Sequence, residues 1–172
     1  GSIAYSASRK YLIDDKGMGY AVISSKEIWS FSEDCMEEIY SKLTGDDEVI
    51  AVSYSFFGDN LIPVDANGEA LDDCILCTDP RGVEEADYIN SQIPAAEQRA
   101  SIGDCYMPYK FGAKALWVKN HAPYADKVAF YDSQQQYVFR KLGLPPVNDY
   151  TMAARKQLLE LESCGWDQRF LN

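Results

Sequence analysis

Basic residues, histidine and long apolar runs are all in short supply, and each shortage removes a class of function. The 172 residues carry 16 Lys and Arg against 27 Asp and Glu, a net charge of −11. Nucleic acid and anionic membrane surfaces are repelled by that balance, and no basic cluster offsets it. No apolar run approaches the roughly 20 residues of a membrane span. The opening residues 1–11 lack the apolar stretch of a secretory signal, so a cytoplasmic protein is expected. Five cysteines are scattered at Cys35, Cys74, Cys77, Cys105 and Cys164, an odd set that fits a reducing compartment better than a disulfide framework. With one histidine, His121, and no second cysteine pair, Cys74 and Cys77 cannot complete a four-ligand zinc site. A glycine-rich nucleotide loop is also missing, so no residue of this segment is assigned to ATP or magnesium. No repeat or low-complexity tract interrupts the chain, which reads as one domain over residues 1–172.

What is present is the composition of a compact protein, 47% hydrophobic and 13% aromatic. The organising stretch is 49–82. Residues 49–54 are apolar and β-branched, as in a buried strand. Residues 61–64 and 71–77 are two further apolar runs, separated by Asp65-Ala66-Asn67-Gly68, where Asn-Gly supplies the positive φ of a hairpin turn. Residues 3–13 alternate as a strand does, and 14–19 form a turn. Ser24 or Ser25 then caps a helix to about Leu43, with Ile28, Phe31, Cys35, Ile39 and Leu43 on one stripe and Glu33, Asp34, Glu37 and Glu38 on the wet face. Further on, 83–92 and 111–120 read as helices, 95–102 as helix or loop, and 127–131 as a short buried strand. Ser133 caps a helix to Leu142, and propensity alone makes 151–162 one helix. Strand, amphipathic helix and buried strand in that order predict a layered α/β fold.

Two loops carry side chains that strands do not need. Gly58, Asp59 and Asn60 follow the first strand, where they read either as a polar turn with local hydrogen bonds or as ligands for neighbouring hydroxyls. Asp79 and Arg81 follow the hairpin, where an Asp-x-Arg pair reads as a corner ion pair or as part of a cleft. His121, beside Pro123 at a helix end, is expected to be a solvated cap, and Cys74 and Cys77 are expected to be buried thiols.

Four segments in order resemble the N-terminal domain of the FGGY carbohydrate kinases, which phosphorylate sugars and polyols with ATP. They are Val64-Asp65-Ala66-Asn67-Gly68-Glu69-Ala70-Leu71 with Thr78-Asp79-Pro80-Arg81; Lys114-Ala115-Leu116-Trp117-Val118; Asp149-Tyr150-Thr151-Met152-Ala153-Ala154-Arg155; and Trp166-Asp167. The second alanine of the third segment stands where the family usually has serine. The resemblance implies a ribonuclease-H-like (actin-like ATPase) α/β domain, a mixed sheet with flanking helices, lacking the family's first strands. It replaces the single helix at 151–162 by a helical turn and a strand near 158–161. It places a sugar or polyol at Asp59, Asn60 and Tyr109, with Asp79 and Arg81 nearby, and puts Cys77 where some relatives carry a tryptophan. The family's phosphate loop and general base find no match here, so no catalytic residue is assigned, and the segment is expected to be inactive alone. ATP and Mg are expected for a full-length enzyme, with the remainder of the kinase chain as a partner; a homodimer is left open. A non-catalytic sugar-binding or regulatory domain with the same fold is the alternative.

Overall fold

A computed structural model describes residues 1–171. Its centre is the hairpin. Strand β2 (Ile62–Val64) runs into a turn closed by Gly68 N to Asp65 O at 3.1 Å, with Gly68 at φ 87°, and the chain returns antiparallel through β3 (Cys74–Ile75). Strand β1 (Val22–Ile23) pairs with β3, and β4 (Phe130–Asp132) pairs with β2. A bridge between Leu61 and Ile75 stitches the pairs, so the strands lie in the order β1, β3, β2, β4. Every recorded pair is antiparallel, a refinement of the mixed sheet expected.

Alternation along the strands divides the core into two layers. Ile62, Val64, Cys74 and Ile23 face one way and pack on Ile28 of helix α1 (Ser25–Tyr40) and on Tyr137 and Val138 of α5 (Gln134–Lys141). Leu61 and Ile75 face the other way, onto Phe111, Val118 and Ala122 at α4 (Phe111–His121). A third cluster, Ala86, Ile102, Tyr106 and Ala113, joins α2 (Val83–Gln92) and α3 (Ala95–Ile102) to α4. Helix starts follow from their caps. Ser24 accepts from Glu27 N, Ser133 closes a reciprocal box with Gln136, and Asp149 accepts from Met152 N at the start of α6 (Tyr150–Arg155).

Three sequence expectations are corrected. Residues 3–13 and 49–54 form no strand, and Ile50 is 88% exposed. A β-branched run needs a neighbouring backbone to bond with, and among the described residues nothing ladders against either segment. Strand β4 starts at Phe130, later than expected, because residues 125–127 coil into a 3-10 turn after Pro123. Finally, 151–162 is not one helix: α6 stops at Arg155, and β5 (Leu159–Glu160) follows, paired with β6 (Gly165–Trp166), as the family resemblance implied.

Candidate functional site

The polar corners before β2 and after β3 lie side by side because two buried side chains clip them together. Asn60, 1% exposed, accepts from Cys77 N at 2.9 Å and donates to Gln134 Oε1 at 3.2 Å. Lys114, in the first turn of α4 and fully buried, donates to the carbonyls of Asp59 at 2.5 Å and Leu76 at 2.9 Å. Burial pushes its ammonium down to about 8, against the opposing attraction of Asp59.

Asp59 is paired with two cations. It is 3% exposed, and its Oδ2 takes Arg155 Nη2 at 2.5 Å and Lys110 Nζ at 3.4 Å. Its Oδ1 is buried without a protein partner. Gly58 admits this geometry: a Cβ there would lie 2.9 Å from Arg155 Cγ. Tyr109 precedes Lys110 in the turn closed by Lys110 N to Met107 O, is 45% exposed, and donates its hydroxyl to Met107 Sδ. Lys110 thus ties the 107–110 turn to the buried Asp59, with Arg155 half-exposed beside it; neither cavity recorded among the described residues is lined by Asp59, Asn60 or Tyr109.

Asp79 and Arg81 take the corner role. Asp79, fully buried, accepts from Arg81 N at 2.9 Å, Nε at 2.8 Å and Nη2 at 3.0 Å, and from Ala21 N at 2.8 Å. The Arg81 guanidinium lies 4.2 Å from the Tyr20 ring centroid and 4.9 Å from that of Trp117. His121 is more than a solvated cap: its Nε2 meets Glu85 Oε1, on a nearly buried acid, at 2.8 Å. Cys74 is buried, which pushes its thiol up to about 12, whereas Cys77 is only partly covered.

A cavity of about 920 Å³ lies elsewhere, walled by Ile89, Tyr106, Phe111, Leu116, Leu158 and Phe170, and none of the five predicted site residues lines it. A smaller one of about 420 Å³ includes Arg81 with Tyr20 and Trp117. Three cations were not assigned a role from the sequence: Lys110, Lys114 and Arg155. Lys114 was legible in principle, since it falls on the stripe of Phe111, Ala115 and Val118, where a charge must find buried partners. Arg155 lies 96 residues from Asp59 and gives no local signal.

Strands covered by helices on both faces make an α/β domain, and its likeness to solved sugar kinases gives it the ribonuclease-H-like, actin-like architecture. Gluconate kinase from Lactobacillus acidophilus shares this fold at a TM-score of 0.85 and 24% identity over 98% of the chain. Glycerol kinase from Plasmodium falciparum does so at 0.82 and 19%, also over 98%. The sequence profile of the FGGY family of carbohydrate kinases, N-terminal domain, matches residues 1–172, and the chain belongs to that family. A gluconokinase of Bacillus licheniformis is 27% identical over 70% of the chain, and an L-fuculokinase of Haemophilus influenzae is 27% identical over 88%. The chain spans 24% and 33% of those two relatives, and 34% and 35% of the two structures.

Proposed function

We propose that this domain holds the sugar or polyol of an ATP-dependent carbohydrate kinase, with Asp59, Asn60 and Tyr109 at the substrate and Asp79 with Arg81 fastening the neighbouring corner. The observation that carries this reading is the buried Asp59 carboxylate, clamped on one oxygen and left without a partner on the other. An acceptor held this way is matched by a hydroxyl donor, and a sugar supplies several. The relatives named gluconokinase and L-fuculokinase support the class of acceptor. The nucleotide is a co-substrate, and magnesium would neutralise its phosphates. Among the described residues no group of three or more His, Cys, Asp and Glu is placed to hold a metal ion. The rest of the full chain would supply the phosphate loop and the base. Closure over the sugar would exclude water, so that the hydroxyl is what receives the phosphoryl group. A cytoplasmic location belongs to the same proposal; no helix among the described residues is long and apolar enough to cross a membrane.

The test is ADP formation by the full-length chain across pentuloses, hexuloses, aldonates and polyols. Release that depends on one of these sugars is the expected result, and a panel with no sugar-dependent ADP overturns the proposal. In the active case, Asp59→Asn lowers kcat/KM for the preferred sugar by roughly tenfold or more, through loss of a charged acceptor.

A further inference from the structure

The smaller cavity, of about 420 Å³, is walled by the first turn of α2 and the last turns of α4. Its wall includes a buried acid that the sugar reading does not use. Glu85 is 4% exposed; its Oε1 meets His121 Nε2 at 2.8 Å, and its Oε2 is buried with no partner among the described residues. The same wall carries unpaired donors. Gly82 caps α2 without a side-chain bond, and the N–H groups of Val83, Glu84 and Glu85 meet no acceptor among the described residues. Arg81 gives Nε and Nη2 to Asp79, which leaves Nη1 unbonded among the described residues. Pro80, Val83 and Trp117 supply apolar wall beside these groups. A buried acceptor without a donor is costly, and uncapped helix N–H groups suit a carboxylate.

We propose that this cavity binds a free α-amino acid with an apolar side chain. Its ammonium docks on Glu85, its carboxylate on Arg81 Nη1 and the first turn of α2, and its side chain against Pro80, Val83 and Trp117. Charge selects the zwitterion. Asp79 and Arg81 cancel each other, and of the two acids that remain, Glu84 and Glu85, only Glu85 has a partner, His121. A simple anion brings its charge up to those acids and offers Glu85 Oε2 no donor. A simple amine satisfies Glu85 and leaves Arg81 Nη1 and the α2 amides without an acceptor. An amino acid presents one charge to each side, on a skeleton small enough for a cavity of this size. The site stands apart from the sugar reading, since Asp59, Asn60 and Tyr109 do not line it.

The measurement is calorimetric titration of the full-length chain, without sugar or nucleotide, using L-leucine and L-phenylalanine. Each is compared with the acid that lacks its ammonium (isocaproate, hydrocinnamate) and the amine that lacks its carboxylate (isoamylamine, phenethylamine). At least one amino acid is expected to bind, tighter than both of its fragments by roughly tenfold or more. Glu85→Gln keeps the side-chain shape and an oxygen for His121 while removing the charge. It is expected to reduce the preference for the amino acid over the deaminated acid by roughly fivefold or more. The ratio of affinities is the readout, so a general loosening of the fold does not imitate the effect, and the fragment comparison in wild type stands if the variant does not fold. Binding of neither amino acid at about 10 mM, a fragment as tight as its parent, or an unchanged ratio in Glu85→Gln overturns the proposal. The kinase reading is unaffected by any of these results, because ADP formation tests it separately.

Discussion

At the scale of single residues, the informative groups are buried charges with identifiable partners. Lys114→Met leaves the carbonyls of Asp59 and Leu76 without their donor. A loss of about 2–4 kcal/mol in urea unfolding is expected, since breaking one side of a buried polar contact strands the other. Its pH dependence has a definite sign. The folded-state value of about 8 lies below the ordinary 10.5, so between them the unfolded chain binds more protons, and stability from this position rises with pH. Wild type should therefore gain on Lys114→Met between pH 8 and 10.5, with titrations common to both proteins cancelling in the difference. Asp167 has the same sign in a more acidic window. Hydrogen bonds from Arg169 first, and from Ser101, hold its carboxyl well below the usual range of 3.8. The stability it contributes is present above that value and lost as pH falls beneath it, so Asp167→Asn should flatten the acid limb of a stability profile. Arg169, two positions on from Asp167, is within reach by spacing alone, whereas Ser101 and the Asp59 and Leu76 carbonyls that Lys114 holds lie on distant segments that only the closed fold brings together.

At the scale of elements, turns were legible where chemistry forces the backbone. Asn67-Gly68 predicted the hairpin because Gly68 sits at φ 87°, a region that side chains with a Cβ disfavour. Gly82, at φ 124°, is more constrained: an added Cβ would come within 2.6 Å of the Pro108 carbonyl oxygen, whereas at Gly68 it would meet the flexible Arg140 side chain. Gly68→Ala should cost about 1 kcal/mol and Gly82→Ala at least twice that, read as a difference in thermal midpoints. Two capped helices were legible for the same local reason, started by Ser24 and Ser133, whereas the cap at Asp149 was not read from the sequence. Propensity failed at 151–162 because tertiary contacts outweighed it. Gln157 adopts φ 56°, and its side chain donates to Cys105 O and accepts from Met107 N. Those bonds turn the chain out of the helix and into β5.

At the scale of the whole molecule, order is uneven. The hairpin and the helices on its two faces hold the buried side chains, while residues 3–13 and 49–54 carry apolar groups in the open, among them Ile3, Leu12, Ile50 and Val52. Hydrogen exchange should divide accordingly, with the amides of Leu61, Ile75 and Leu76 protected by ladder bonds and those of 3–13 and 49–54 exchanging fast. Slow exchange across 49–54 would contradict that division. The amino-acid sequence by itself determined the hairpin, the caps, the amphipathic stripes and hence a layered α/β domain, because each depends on neighbours a few positions apart. Only the tertiary structure decided that Asp59 is clamped by Arg155 and Lys110, that Asp79 is spent on Arg81, and that two promising strands stay unpaired. Those outcomes depend on which distant groups share a volume from which water is excluded, and the spacing of residues along the chain does not encode that.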